Sequence, residues 1–133
     1  MPNYSKYNAK DWSLQINTRY ITGFDEDMFT WEKDEAYGEY SVGAQGDAIF
    51  NETNNDVHTL TVTLQPTSPS VDYMFELLKK RAEFSVLGVN KKLGQRFGGE
   101  HARITEAPSI EATAEGSPLE FVIQVADGYT ESI

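Results

Sequence analysis

Two histidines, His58 and His101, and a complete lack of cysteine bound the chemistry open to this sequence. Without cysteine there is no thiol nucleophile, no disulfide and no Cys-based zinc site. Each histidine falls inside a predicted strand. Asp56 lies near His58, but no serine-containing elbow motif accompanies it, so a structural or surface role is expected for both. Metal ligation by the pair would require that they meet in space and find further ligands. The run Asp25-Glu26-Asp27 would attract a cation only if tightly turned, because successive strand side chains point to opposite faces. It reads as an acidic turn. Residues 51–56 share composition with a calcium loop but lack its glycine and terminal glutamate at the required offsets. Residues 94–99 are glycine-rich, yet no Gly-Lys-Ser/Thr follows, so they read as a flexible basic turn rather than a phosphate loop. Nucleic-acid contact through Lys91, Lys92 and Arg96 is the alternative use of that turn. No set of acid, base and nucleophile emerges. The expectation is a non-enzyme that needs neither cofactor nor metal.

The elements that would position these residues are mostly strands. Trp12, Leu14 and Ile16 alternate with polar residues, which marks a half-buried strand. Residues 19–22 continue it or pair beside it. Residues 28–33 are aromatic and β-favouring, with Asp34-Glu35 as the stop. Residues 36–42 form a further strand. A polar, turn-rich region follows, interrupted by the apolar patch Ala48-Ile49-Phe50. Its length and its apolar tip point to docking on a partner. In the clearest strand, residues 57–65, Leu60, Val62 and Leu64 face one way and Thr59, Thr61 and Thr63 the other. The threonine face suits a wet wall. Ser68 and Pro69 then start a helix over residues 69–81, with Val71, Met74, Phe75 and Leu78 at helical spacing. Residues 83–89 are apolar on both faces and therefore central. Residues 101–105 and 119–125 give two more strands, and Asp127-Gly128 leaves a short acidic tail.

The chain has 133 residues, 12% of them aromatic, and a formal net charge of −10. That length suits one domain with its own core, residues 1–133, with flexible termini and an extended loop over residues 38–56. Strong acidity argues against wrapping nucleic acid. No signal-like or spanning apolar run is present, so a soluble cytoplasmic protein is expected. The charge is segregated. Residues 79–103 hold seven of the eleven basic residues, while residues 1–60 hold eleven of the 21 acids and residues 104–133 six. Ordinary solvated charge is one explanation. The other is that one copy's basic middle meets another copy's acidic flank, a head-to-tail contact that closes into rings or runs on as filaments. Strands, one helix and strands again fit a mainly β protein, a small sandwich or barrel with one flanking helix.

This order of features resembles the tail tube proteins of contractile bacteriophages, a family of small phage structural proteins of about this length. The likeness runs through Trp12-Ser13-Leu14, Ile21-Thr22-Gly23-Phe24, Met28-Phe29-Thr30-Trp31, the long hairpin of residues 38–55, the threonine strand, Ser68-Pro69-Ser70 and residues 72–78. The resemblance implies a sandwich or barrel with a flanking helix and a long hairpin. Six copies would form a ring, and rings would stack into a hollow tube inside a contractile sheath, a conduit for DNA. The implied partners are further copies, the sheath, the tape-measure and baseplate proteins, and DNA as transient cargo, with no membrane. The implied location is the virion tail, assembled in the host cytoplasm. Contacts between copies are expected at Gly43, Asp47, Ile49, Phe50 and Asn54 of the hairpin and at Lys91, Lys92 and Arg96. Thr59, Thr61 and Thr63 are expected to face the lumen and the helix to face outward. A tube of a tailocin or other contractile particle is the alternative, as is a non-catalytic binding module using exposed aromatics as its platform.

Overall fold

The structure is a computed structural model and describes residues 2–133. The strands and helix run in the order β1 (Trp12–Ile16), β2 (Arg19–Tyr20), β3 (Phe24–Lys33), β4 (Gly38–Val42), β5 (Ala48–Glu52), β6 (His58–Leu64), α1 (Val71–Lys80), β7 (Phe84–Asn90), β8 (Gln95–Glu106), β9 (Leu119–Val125) and β10 (Tyr129–Ser132). Eight strands make one antiparallel sheet in the order β2-β1-β7-β8-β9-β6-β3, with β10 added to β8. Among the described residues, strands β4 and β5 pair only with each other. The expected class, mainly β with one flanking helix and a long hairpin, is the class observed.

Period-two patterning builds the core. Leu60, Val62 and Leu64 of β6 lie register for register against Ile123, Phe121 and Leu119 of β9, all buried. Each such side chain contributes about 1.5–3 kcal/mol on leaving water. Strand β7 is central, between β1 and β8, and alternates buried with half-buried positions, as its two-sided apolar pattern requires. Helix α1 buries Val71, Met74 and Leu77, and sets the edge of Phe75 on the Phe121 ring, 5.4 Å between centroids. Asp72 in its first turn and Lys79 and Lys80 in its last match the macrodipole.

The sheet curls until distant strands meet. The Trp12 ring of β1 stands edge-on to Phe29 of β3, at 5.5 Å. Trp31 of β3 stacks against His58 at 4.8 Å and against Phe97 of β8 at 4.7 Å. Phe97 lies over Gly88, where a Cβ would penetrate its ring.

Several local expectations are corrected. Residues 95–99 are strand, not flexible turn: only residues 91–94 turn, and Phe97 is a core residue. Gly98 is needed because a Cβ there would collide with the Val86 carbonyl, and Gly99 because one would meet Val125. Asp25, Glu26 and Asp27 belong to β3, in an irregular stretch between Phe24 and Phe29. The apolar patch Ala48-Ile49-Phe50 is not a loop interruption but the start of β5, paired with β4. The tail after Gly128 is strand β10, held by β8. Ser68 does not cap the helix. Its Oγ donates to the Thr22 carbonyl at 2.6 Å and accepts the Ser70 N–H at 3.1 Å, while Ser70 holds the N-cap position and takes the Thr22 N–H at 3.0 Å. The two serines tie the helix entry to the chain leaving β2 rather than to the helix itself.

Because Phe97 is core and its turn neighbour Leu93 is 47% exposed, their truncations should part sharply. Urea denaturation of Phe97→Ala should show a loss of about 3–5 kcal/mol, and Leu93→Ala a change within about 0.5 kcal/mol.

Candidate functional site

The two histidines do not converge. His58 is buried, its Nδ1–H donates to the Asp56 carbonyl at 2.8 Å, and its ring is covered by Trp31. It is a core residue. His101 is exposed and its Nδ1 lies 2.8 Å from Glu83 Oε1. Strand β8 carries an irregularity here, where Glu100 and His101 pass Ser85 of β7. Asp127, in the turn between β9 and β10, serves both exposed amides: its carboxylate accepts the His101 N–H at 2.9 Å and the Glu100 N–H at 3.1 Å. Glu100, His101 and Asp127 bring ligand-type atoms within 4.8 Å. The Asp127 carboxylate is engaged by the two backbone N–H groups and His101 Nδ1 by Glu83, so these residues brace the junction of β7, β8 and the β9–β10 turn. The sequence signal for it was Asp127-Gly128 at the end of a strand. The Glu83 bond, and then the Asp127 and Glu83 charges, hold the His101 pKa above its ordinary value. Burial would raise the Asp127 pKa, but the His101 and Glu100 N–H groups outweigh it and hold the pKa below its ordinary value.

The residues expected to touch partners fall in three places. Gly43, Asp47, Ile49, Phe50 and Asn54 are all exposed on or beside the β4–β5 hairpin. Gly43 and Asp47 close its turn, with the Gly43 N–H on the Asp47 carbonyl at 2.8 Å. Tyr40 and Val42 are 71% and 67% exposed, Ile49 and Phe50 66% and 43%. Tyr40 and Phe50 pack edge to face at 4.9 Å. The hairpin thus displays large apolar side chains that the sheet does not cover. Ile49 and Phe50 stand out in the sequence as apolar residues among polar ones, whereas the placement of Tyr40 directly opposite Phe50 comes only from the strand pairing.

Lys91 and Lys92 are exposed on the β7–β8 turn, with Lys92 Nζ 3.8 Å from Asp11. Arg96 is paired with Glu131 of β10 through Nε at 2.6 Å and through Nη2. Two contacts of basic middle with acidic flank are therefore made inside one chain.

Thr59, Thr61 and Thr63 are half-buried and point away from the core. Thr59 Oγ1 donates to Asp34. Thr61 and Thr63 line a broad cleft of about 1000 Å³, together with Trp12, Phe29 and Phe97 and residues of β3 and β10. The Trp31 indole N–H crosses to Thr130 Oγ1 at 2.8 Å. Trp31 is itself half-buried and lines the cleft, stacked on His58 and on Phe97.

No protein-family model matches the sequence, and no curated protein matches it. The fold is nevertheless shared with chains of contractile injection particles. The protein resembles a chain in the cryo-EM structure of the anti-feeding prophage cap, described as a tube-terminating cap, at 8% identity with a TM-score of 0.66, over 100% of this chain and 95% of that one. It also resembles a chain of the sheath–tube complex of an extracellular contractile injection system in the extended state, at 10% identity and a TM-score of 0.67, over 96% and 93% of the chains. A chain of the sheath/tube terminator of the same kind of system matches at 10% identity and a TM-score of 0.60, over 97% and 99%.

The brace has a defined pH signature. The His101–Glu83 contribution should be fully present below about pH 6.5, the unfolded value, and be lost as pH rises through the higher folded value. The Asp127 contribution should be present above about pH 3.8 and be lost as pH falls through the lower folded value. An NMR titration should place the His101 midpoint above the ordinary value, and Glu83→Gln should move it down.

Proposed function

We propose that this protein is a structural, non-catalytic subunit of a contractile tail or injection particle that assembles with copies of itself into rings. The observation that carries this is the whole-chain likeness to contractile-particle chains, which spans 93% or more of both partners in each comparison. Six copies form a ring in this account, and rings stack into the inner tube beneath a sheath, with sheath, tape-measure and baseplate proteins as further partners and DNA as passing cargo. The particle is built in the host cytoplasm and the subunit resides in its tail. A net charge of −10 lets such a wall repel rather than retain DNA.

The β4–β5 hairpin supplies the contact between copies. An exposed apolar patch rimmed by polar residues marks an association surface, and here Tyr40, Val42 and Phe50 share one face of a two-stranded element that has no other sheet partner among the described residues, with Ile49 exposed on the opposite face. Thr59, Thr61 and Thr63 form part of the wet inner wall. A second form of the same account is favoured by the two comparisons that describe a tube terminator or cap: rings that close the tube and do not stack further.

Electron microscopy of the purified protein should show rings about 100 Å across or less, the scale that small domains set, stacked into tubes for a tube subunit and single for a cap. A monodisperse monomer at every concentration would overturn both. Val42→Asp with Ile49→Asp should leave the unfolding midpoint of the main sheet unchanged, since both side chains are exposed and neither lies opposite the other, and should abolish rings or stacks. Normal assemblies from that variant would remove the hairpin from the account.

A further inference from the structure

The junction of β7, β8 and the β9–β10 turn brings together side chains that a regular strand would keep apart. Glu100 and His101 are neighbours in β8, and strict alternation would send one of them inward. Both are exposed, between buried Gly99 and buried Ala102. The cause is the pairing with β7. Its register passes from Phe84 opposite Ala102 to Val86 opposite Gly99, which leaves two residues of β8 beside Ser85 alone. That is a bulge, a device that re-aims side chains next to functional sites. Asp127 reaches the same place from the turn after β9.

Glu100, His101 and Asp127 offer donor atoms that all lie within 4.8 Å of one another. Ligands of one tetrahedral ion, each about 2.0–2.2 Å from the metal, are about 3.4 Å apart. Closure therefore asks for a shift of at most about 1.4 Å, which exposed side chains make by changing rotamer.

Lone pairs remain for an ion. With Nδ1–H donating to Glu83, the free lone pair of the His101 ring is on Nε2. Glu83 thereby fixes the ring as outer carboxylates fix metal-binding histidines. The Asp127 carboxylate is oriented by the two backbone N–H groups, and each of its oxygens can accept a further partner. The charges that act on the His101 ring are the carboxylates of Asp127, Glu83 and Glu100. No Lys or Arg pairs with any of these three among the described residues.

We propose that Glu100, His101 and Asp127 bind one divalent transition-metal ion, with Glu83 as the positioning partner of His101 and water completing the coordination. One nitrogen and two oxygen donors suit zinc rather than magnesium or calcium, which take oxygen ligands. The ion clamps the bulge of β8 to the turn that leads into β10, and binding to the folded chain stabilises it by mass action. The site is separate from the hairpin and needs no second copy.

Zinc chloride titrated into the untagged chain, first freed of metal by chelation, tests this by NMR at mildly alkaline pH, where the ring is neutral. The His101 ring and the amides of residues 100, 101 and 127 should shift and saturate with one-to-one stoichiometry. The buried His58 ring should stay in place, and the thermal unfolding midpoint should rise. Magnesium at the same concentrations should leave the His101 ring unmoved. His101→Ala and Glu100→Gln should each weaken zinc binding by at least about tenfold, the loss that even an outer partner's removal brings. Without zinc, Glu100→Gln should unfold at the same temperature as the parent, because only the backbone of Glu100 is bonded in the brace. No saturable shift, an equal response to magnesium, or zinc affinity that survives both substitutions would mean an adventitious ion only, and each overturns the proposal.

Discussion

The Trp31 indole, stacked on both His58 and Phe97, ties the edge strand β3 to the middle of the sheet. Each neighbour is itself fixed. His58 is locked to the Asp56 carbonyl and shielded by Gly128, and Phe97 sits on the bare backbone of Gly88. Trp12 and Phe29 extend the same aromatic contact to β1. An eight-stranded sheet of this size needs a reason to curl rather than lie open with two long edges. These rings supply it, since bringing them together removes large apolar surfaces from water and sets their mutual geometry. The cleft beside them, the seat of β10 and the threonine wall all depend on where that closure leaves β3.

Charge then divides the surface. The sequence concentrates its basic residues in the middle and most of its acids towards the ends, and part of that pattern is spent internally: Arg96 holds Glu131 and Lys92 approaches Asp11. Exposed pairs like these contribute little stability, but they remove cations from the surface. What remains outward is the apolar hairpin and the broad cleft beside β3. Two separate surfaces on one small chain suit an assembly with contacts in more than one direction.

Legibility followed alternation. The strand from His58 to Leu64 could be read directly, because apolar and threonine residues strictly alternate and each face has one environment. The helix was legible from spacing, within two residues at its start and one at its end. The beginning of β8 was not. Gln95-Arg96-Phe97-Gly98-Gly99 has the composition of a turn, and its glycines are there for close approach to Val86 and Val125, a reason that exists only once β7 and β9 are in place. Strand β10 was hidden for a similar cause: four exposed residues after Asp-Gly show no period, and their pairing comes from β8. At the candidate surface, Ile49 and Phe50 stood out as apolar residues among polar ones, whereas the cleft draws on the N-terminal arm, β1, β3, β6, β8, β9 and β10 and has no local signature. The His101–Glu83–Asp127 brace likewise joins residues that only a strand irregularity brings together.

Hydrogen–deuterium exchange across concentration tests the central claim, that copies of this chain associate through the hairpin, most directly. The amides of Gly38–Val42 and Ala48–Glu52 belong to an isolated two-stranded element, which is marginally stable alone in water. They should exchange fast in dilute protein and become strongly protected as rings form, while the amides of β6 stay protected throughout. Equal, rapid exchange in the hairpin at all concentrations, with the oligomers present, would contradict the account.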